Sequence, residues 1–214
     1  MNIDNKINSL IENFSDYISS FKTNNPFSGP SEYFYIYKII NITKEGNYDK
    51  VFTKEFIEFI YATLAAWGMH RMGPENKGAK MNDFASFMDC IMQSKDKIIK
   101  LKDLKISEIS EKDIKNINDL YLSLGALMKS KSKLVATTKV MHFLLPNLIP
   151  PMDREYTMKF FNKNLPTIKS VYDSKNINKE IKIFEFILKK ISYIGKQADC
   201  SNFINSEFSP TIPK

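Results

Sequence analysis

Apolar side chains recur along this chain at helical intervals of three and four, and they divide it into a succession of amphipathic helices. Ile3, Ile7, Leu10, Ile11, Phe14, Tyr17, Ile18 and Phe21 predict a first helix, closed by Asn24, Asn25 and Pro26. Pro30 and Ser31 open a second, aromatic-rich helix through about Ile42. Thr53 is placed to N-cap a third helix running to about Ala66, with Glu55 favourable in its first turn. Asn82 and Asp83 start a fourth, with Phe84, Phe87, Met88 and Ile91 facing inward. Ser110 and Asp113 have capping-box spacing and precede Ile114, Ile117, Leu120, Tyr121, Leu124 and Met128 on one face. After a basic loop, 129–133, a short helix is predicted from near Thr137 and must stop by Pro146. Asp153 is placed to cap the next helix, and a last one covers about Ile177 to Ile194. No run alternates in the manner of a strand. The pattern predicts an all-α protein: one domain, 1–208, of about eight helices, with a polar tail at 209–214.

Bulk properties narrow the class. At 214 residues, with 43% hydrophobic and 13% aromatic residues, the chain can bury an ordinary core. No apolar run reaches membrane-spanning length, and the polar start MNIDNKINS lacks signal-peptide character. Cys90 and Cys200 are too few and too far apart for a zinc quartet or a disulfide framework. These features predict a cytoplasmic protein without membrane, metal or cofactor. Oligomeric state leaves no signal in the sequence.

The net charge of +7 would suggest a polyanionic partner, but only Arg71 and Arg154 among the 31 basic residues are arginine. So strong a lysine excess, alongside abundant Ile and Asn, reads as AT-rich coding, and a lysine-coated surface accounts for much of the charge. Against that background the residues that resist the bias cluster in two stretches, 62–79 (ATLAAWGMHRMGPENKGA) and 134–161 (LVATTKVMHFLLPNLIPPMDREYTMKFF). Both arginines, both histidines (His70, His142) and the only tryptophan (Trp67) fall there, and the two stretches are expected to lie close together.

Within the second stretch, a helix starting at Thr137–Thr138 would put Lys139 in its first turn, where the helix dipole disfavours an ammonium. A lysine so placed is a candidate amine nucleophile, although a solvated lysine near a helix end is the simpler reading. Asp153, 14 residues on, would be held at a helix N-cap after a proline-stiffened loop. His142 either lines the same pocket or is a satisfied core histidine. Arg154 either meets an anionic ligand or pairs internally. Trp67, His70 and Arg71, at the end of the third helix, could stack on and contact a planar ligand. In the simpler reading Trp67 anchors the core and Gly68 and Gly73 end the helix. The methionines at 69, 72, 81, 88 and 92 read as packing, and Cys90 as an inert buried thiol.

The order of basic loop, small residues, Lys139, apolar helix, PPMDR loop and Asp153 resembles the helix-hairpin-helix DNA glycosylase superfamily. The earlier stretch FIEFIYATLAAWG is similar to that family's helix before its substrate-side loop. The resemblance implies a glycosylase-like helical fold, DNA as partner, Lys139 as the nucleophile that attacks the sugar C1′, and Asp153 as the assisting carboxylate. The family's hairpin glycines are absent from Leu134-Val135-Ala136-Thr137. That absence fits the alternative: a non-catalytic helical interaction or nucleic-acid-binding protein.

Overall fold

The computed structural model describes residues 2–24, 34–44, 46–69, 80–129, 133–161 and 177–198. Among these residues the fold is all-α, and the sole extended pairing is an isolated bridge between Met81 and Met128. The predicted 209–214 tail, the Pro30–Ser31 helix start, Asn25 and Pro26 lie outside the described residues.

The predicted first helix is two: Ile3–Glu12 (α1) and Phe14–Asn24 (α2). Asn13 interrupts them, its side-chain amide donating to the Ser9 carbonyl at 2.8 Å. A short amide that competes for the backbone in this way favours a helix end over a helix interior. The aromatic-rich segment is π-helical over Phe34–Ile40 (α3) and continues as Asn41–Lys44 (α4), two residues beyond the predicted end. A single turn, Tyr48–Val51 (α5), leads to Lys54–Ala66 (α6), which Thr53 caps by accepting from the Phe56 N–H at 3.2 Å. α6 ends in a Schellman motif. Met69 N–H reaches the Leu64 carbonyl, Gly68 N–H reaches the Ala65 carbonyl, and Gly68 takes φ +74°. A Cβ there would meet no atom within 4 Å, so the left-handed backbone alone calls for glycine.

Asp83 caps Phe84–Gln93 (α7), followed by Lys95–Leu101 (α8). The Ser110–Asp113 capping box forms and starts Glu111–Leu124 (α9). All six inward positions predicted around this helix are buried, Met128 lying just past it at the bridge. The remaining elements are Leu134–Leu144 (α10), π-helical Arg154–Met158 (α11), Lys159–Phe161 (α12) and Ile177–Gln197 (α13). The eleven α-helical segments among the described residues exceed the predicted eight because Asn13 divides one helix and the short α4, α5, α8 and α12 are too brief to show a period. No helix among the described residues is long and apolar enough to cross a membrane.

α10 packs against α3, α6 and α9. Nine of its eleven residues are buried, which is the signature of a helix enclosed on nearly every side. Its N-terminus is therefore away from water, and its first N–H groups need an acceptor from elsewhere in the protein. Glu180, itself 4% exposed, supplies it from α13. One carboxyl oxygen accepts from Lys133 N at 2.7 Å, from Leu134 N, and from the Tyr121 hydroxyl at 3.0 Å. Tyr121 stacks on Phe184 with ring centroids 4.6 Å apart, so α9, α10 and α13 meet at this carboxyl group. At the far end of α13, Gly195 lies against the turn Ile106–Glu108, where a Cβ would stand in ordinary contact with Ser107 Cβ at 3.6 Å.

Glu180→Ala strands three donors in the interior and is expected to lower stability by on the order of 3 kcal/mol in urea denaturation. Tyr121→Phe, which removes one of the three bonds, should lower it by about 1 kcal/mol. Equal losses in the two variants would mean that the helix start does not depend on the carboxyl group.

Candidate functional site

The two residues of α10 that are not buried are Val135 and Lys139, four apart and so on one stripe. Lys139 is thus the charged group that the central helix presents at the surface of the core. It stands in the second turn. The predicted start at Thr137–Thr138 is corrected by one turn, and with it the dipole argument, because that effect fades beyond the first turn. Both threonines lie inside the helix and are fully buried. Thr138 Oγ1 donates to the Leu134 carbonyl at 2.8 Å, while among the described residues Thr137 Oγ1 has no hydrogen-bond partner.

Burial takes the place of the dipole. Lys139 is half-buried, with Nζ 5.0 Å from the centroid of the Trp67 ring. Loss of hydration holds its pKa below the ordinary lysine range, and the negative charge of Asp153 works in the opposite direction. The indole face also favours the ammonium.

Asp153 is brought close by a return loop, 145–153, that is fastened to α10. His142 Nδ1 donates to the Ile149 carbonyl at 2.7 Å, and Met152 N–H donates to Thr138 Oγ1 at 3.3 Å. A carbonyl can only accept, so Nδ1 carries a proton; in the neutral ring Nε2 then accepts from the Tyr35 hydroxyl. Burial pushes the Tyr35 phenol far above its usual range, which keeps that proton in place. Asp153 Oδ1 accepts from Tyr156 N at 2.6 Å and Thr157 N at 3.4 Å, the N-cap read from the sequence.

The aromatic wall joins these parts. Trp67 lies 5.4 Å from Tyr35 and 5.3 Å from Phe143, centroid to centroid, and Tyr35 lies 5.7 Å from His142. The described part of the first bias-resistant stretch, 62–69, therefore meets the second through Trp67.

The structure brings Lys139, Asp153, Trp67 and His142 into one region. His142 sits on its inner side, 9% exposed, with both ring nitrogens turned to protein groups. His70 and Arg71 lie outside the described residues, as does the side chain of Arg154, whose backbone opens α11. Sequence reasoning missed Tyr35 and Glu180. Tyr35 is one aromatic in a run of them, and Glu180 reaches its partners from 46 to 59 residues away. Of the methionines, Met81 is fully buried and Met69 and Met88 pack on the core, while Met92 is exposed and Met72 lies outside the described residues. Burial raises the Cys90 thiol, as expected of an inert cysteine. Among the described residues no group of three His, Cys, Asp or Glu could hold a metal.

No protein-family model, curated protein or solved structure matches this chain.

Because Lys139 titrates lower when folded than when unfolded, the unfolded chain binds more protons between those two pKa values, and stability rises with pH there. The penalty is present in full below the folded value and vanishes above the unfolded one, near 10.5. The stability difference between wild type and Lys139→Met, measured by urea denaturation from neutral pH upward, should therefore shift in favour of wild type as pH approaches 10.5. A difference independent of pH would mean that folding leaves the lysine unperturbed.

Proposed function

We propose that this chain binds DNA and carries out base excision as a glycosylase with lyase activity. Neutral Lys139 is the nucleophile and Asp153 the assisting carboxylate. The Nζ lone pair forms a bond to the sugar C1′ as the bond from C1′ to the base breaks, the base leaving with the bonding pair. The proton lost from nitrogen passes to the ring oxygen O4′ as its bond to C1′ breaks, and the opened sugar is left as a Schiff base on Lys139. Asp153 stabilises the positive charge that develops on the sugar. Trp67 offers a planar face beside the reacting centre.

One observation carries this reading. A lysine in the wall of the core is held below its ordinary pKa by burial, and the next helix begins with a carboxylate near enough to act on it. An amine nucleophile needs its lone pair free, and desolvation is a physical route to that state. The order of basic loop, Lys139, apolar helix and Asp153, which resembles that of the glycosylase superfamily, points the same way.

The alternative reading, a non-catalytic helical interaction or nucleic-acid-binding protein, has its own observation. Helix N-termini bind phosphate through free N–H groups, and here Lys133 N and Leu134 N are bonded to Glu180. No glycine opens that turn. Under this reading DNA is bound, if at all, by other surfaces, and Lys139 has no covalent role.

Borohydride trapping on duplexes containing damaged bases or abasic sites separates the two. The proposal expects a covalent adduct with wild type, none with Lys139→Ala, and formation about 100-fold slower with Asp153→Asn. Equal trapping by wild type and Lys139→Ala would rule out the assigned nucleophile.

A further inference from the structure

The return loop between α10 and α11 contains Pro146, Pro150 and Pro151. Pro150 and Pro151 have no N–H to donate and their rings fix φ, so this dipeptide is a stiff spacer. The backbone groups on either side of it both return to α10. The Ile149 carbonyl accepts from His142 Nδ1 at 2.7 Å, and Met152 N–H donates to Thr138 Oγ1 at 3.3 Å. His142 and Thr138 are four residues apart and share one stripe of the helix. The loop therefore runs antiparallel to α10. Asp153 follows Met152 directly, as Lys139 follows Thr138, and the charge of Asp153 is felt at Lys139.

Apolar packing alone does not set this position. Leu145, Leu148, Ile149 and Met152 are each 1% exposed or less, which keeps the loop on the core. Contact between apolar side chains is non-directional, so the hydrogen bonds decide the register. The shorter of the two comes from a side chain that is held at both ends. His142 is 9% exposed, and its Nε2 accepts from the Tyr35 hydroxyl. An acceptor at Nε2 requires the proton of the neutral ring to sit on Nδ1, so Tyr35 selects the tautomer that holds the loop. The same tyrosine rests 5.4 Å from the Trp67 ring beneath Lys139, centroid to centroid. Tyr35 thus touches both the wall of the lysine and the fastening of the carboxylate.

We infer that His142 is a positioning residue of the Lys139–Asp153 site: through the Ile149 carbonyl it fixes the return loop on α10 and thereby sets where the Asp153 carboxylate stands relative to Lys139. It acts through the loop, since both of its ring nitrogens are turned to protein groups. The inference rests on the reading of Lys139 and Asp153 as the working pair. It does not depend on the identity of the substrate or on the Schiff-base chemistry.

The test follows the Lys139 titration midpoint by nuclear magnetic resonance in the full-length protein, with and without Asp153→Asn. Asn caps a helix as well as Asp does, so this change removes the charge and keeps the start of α11. In wild type it should lower the midpoint, because the carboxylate favours the ammonium. The same comparison is then made in two backgrounds. His142→Asn retains a donor where Nδ1 stood and should keep the wild-type shift. His142→Gln retains an acceptor for Tyr35 where Nε2 stood but loses the bond to Ile149, and its shift should shrink by about half or more. Loss of packing alone predicts the reverse order, since Asn leaves the larger cavity. Equal shifts in the two backgrounds, a smaller shift with His142→Asn, or no shift in wild type would overturn the assignment. The unaltered protein supplies a second measurement that needs neither variant to fold. The 15N signals of His142 should show the proton on Nδ1 and a bare Nε2; a proton on Nε2 would overturn the assignment as well. Borohydride trapping in the same samples keeps the two readings distinguishable. A His142-dependent shift without trapping upholds the positioning role and defeats the excision chemistry; trapping with a shift indifferent to His142 does the reverse.

Discussion

The carboxyl group of Glu180 beneath the start of α10 is the interaction on which the rest of the structure depends. A helix buried on nearly all sides has N–H groups at its first turn that water cannot reach. Leaving them bare would cost more than a single hydrogen bond is ordinarily worth. α13 brings the acceptor from 46 residues downstream, and Tyr121 of α9 shares it. Docking of α13 and placement of α10 are therefore one event. Once α10 is fixed in rotation, only the stripe of Val135 and Lys139 is left facing outward. On the flank of that stripe His142 and Thr138 fasten the return loop that ends at Asp153. The position of the reactive candidate thus follows from a contact some distance from it.

What could be read from the sequence divides along the same line. Helices whose caps are local were legible, because Thr53, Asp83, Ser110 with Asp113, and Asp153 each sit three or four residues from the donors they satisfy. α10 begins a turn earlier than its threonines suggest, because its cap is a side chain from another helix and nothing in the adjacent sequence marks it. Thr137 and Thr138 look like a helix start and are core residues. Asn13 broke a well-formed apolar period by a hydrogen bond that periodicity does not register. Of the candidate site, Lys139, Asp153 and Trp67 were found through their neighbours' composition. Tyr35, which joins Trp67 to His142, was not, since one tyrosine in an aromatic run carries no distinguishing mark.

The physical reason for singling out Lys139 also changed. A first-turn lysine would be perturbed by the helix dipole; a second-turn lysine against indole and core is perturbed by lost hydration. The two causes predict different sensitivities. A dipole effect would follow the cap at Glu180, whereas a burial effect follows Trp67, over which the ammonium stands and which packs on Tyr35 and Phe143.

The central claim is that burial against Trp67 leaves Lys139 with a depressed pKa in the folded protein. Titration of its side chain by nuclear magnetic resonance, with the 13Cε and 15Nζ signals assigned through Lys139→Met, measures this directly. The account predicts a midpoint below that of the exposed lysines, returning toward them in Trp67→Ala as water reaches the ammonium. A Lys139 signal that titrates together with the surface lysines in wild type would contradict it.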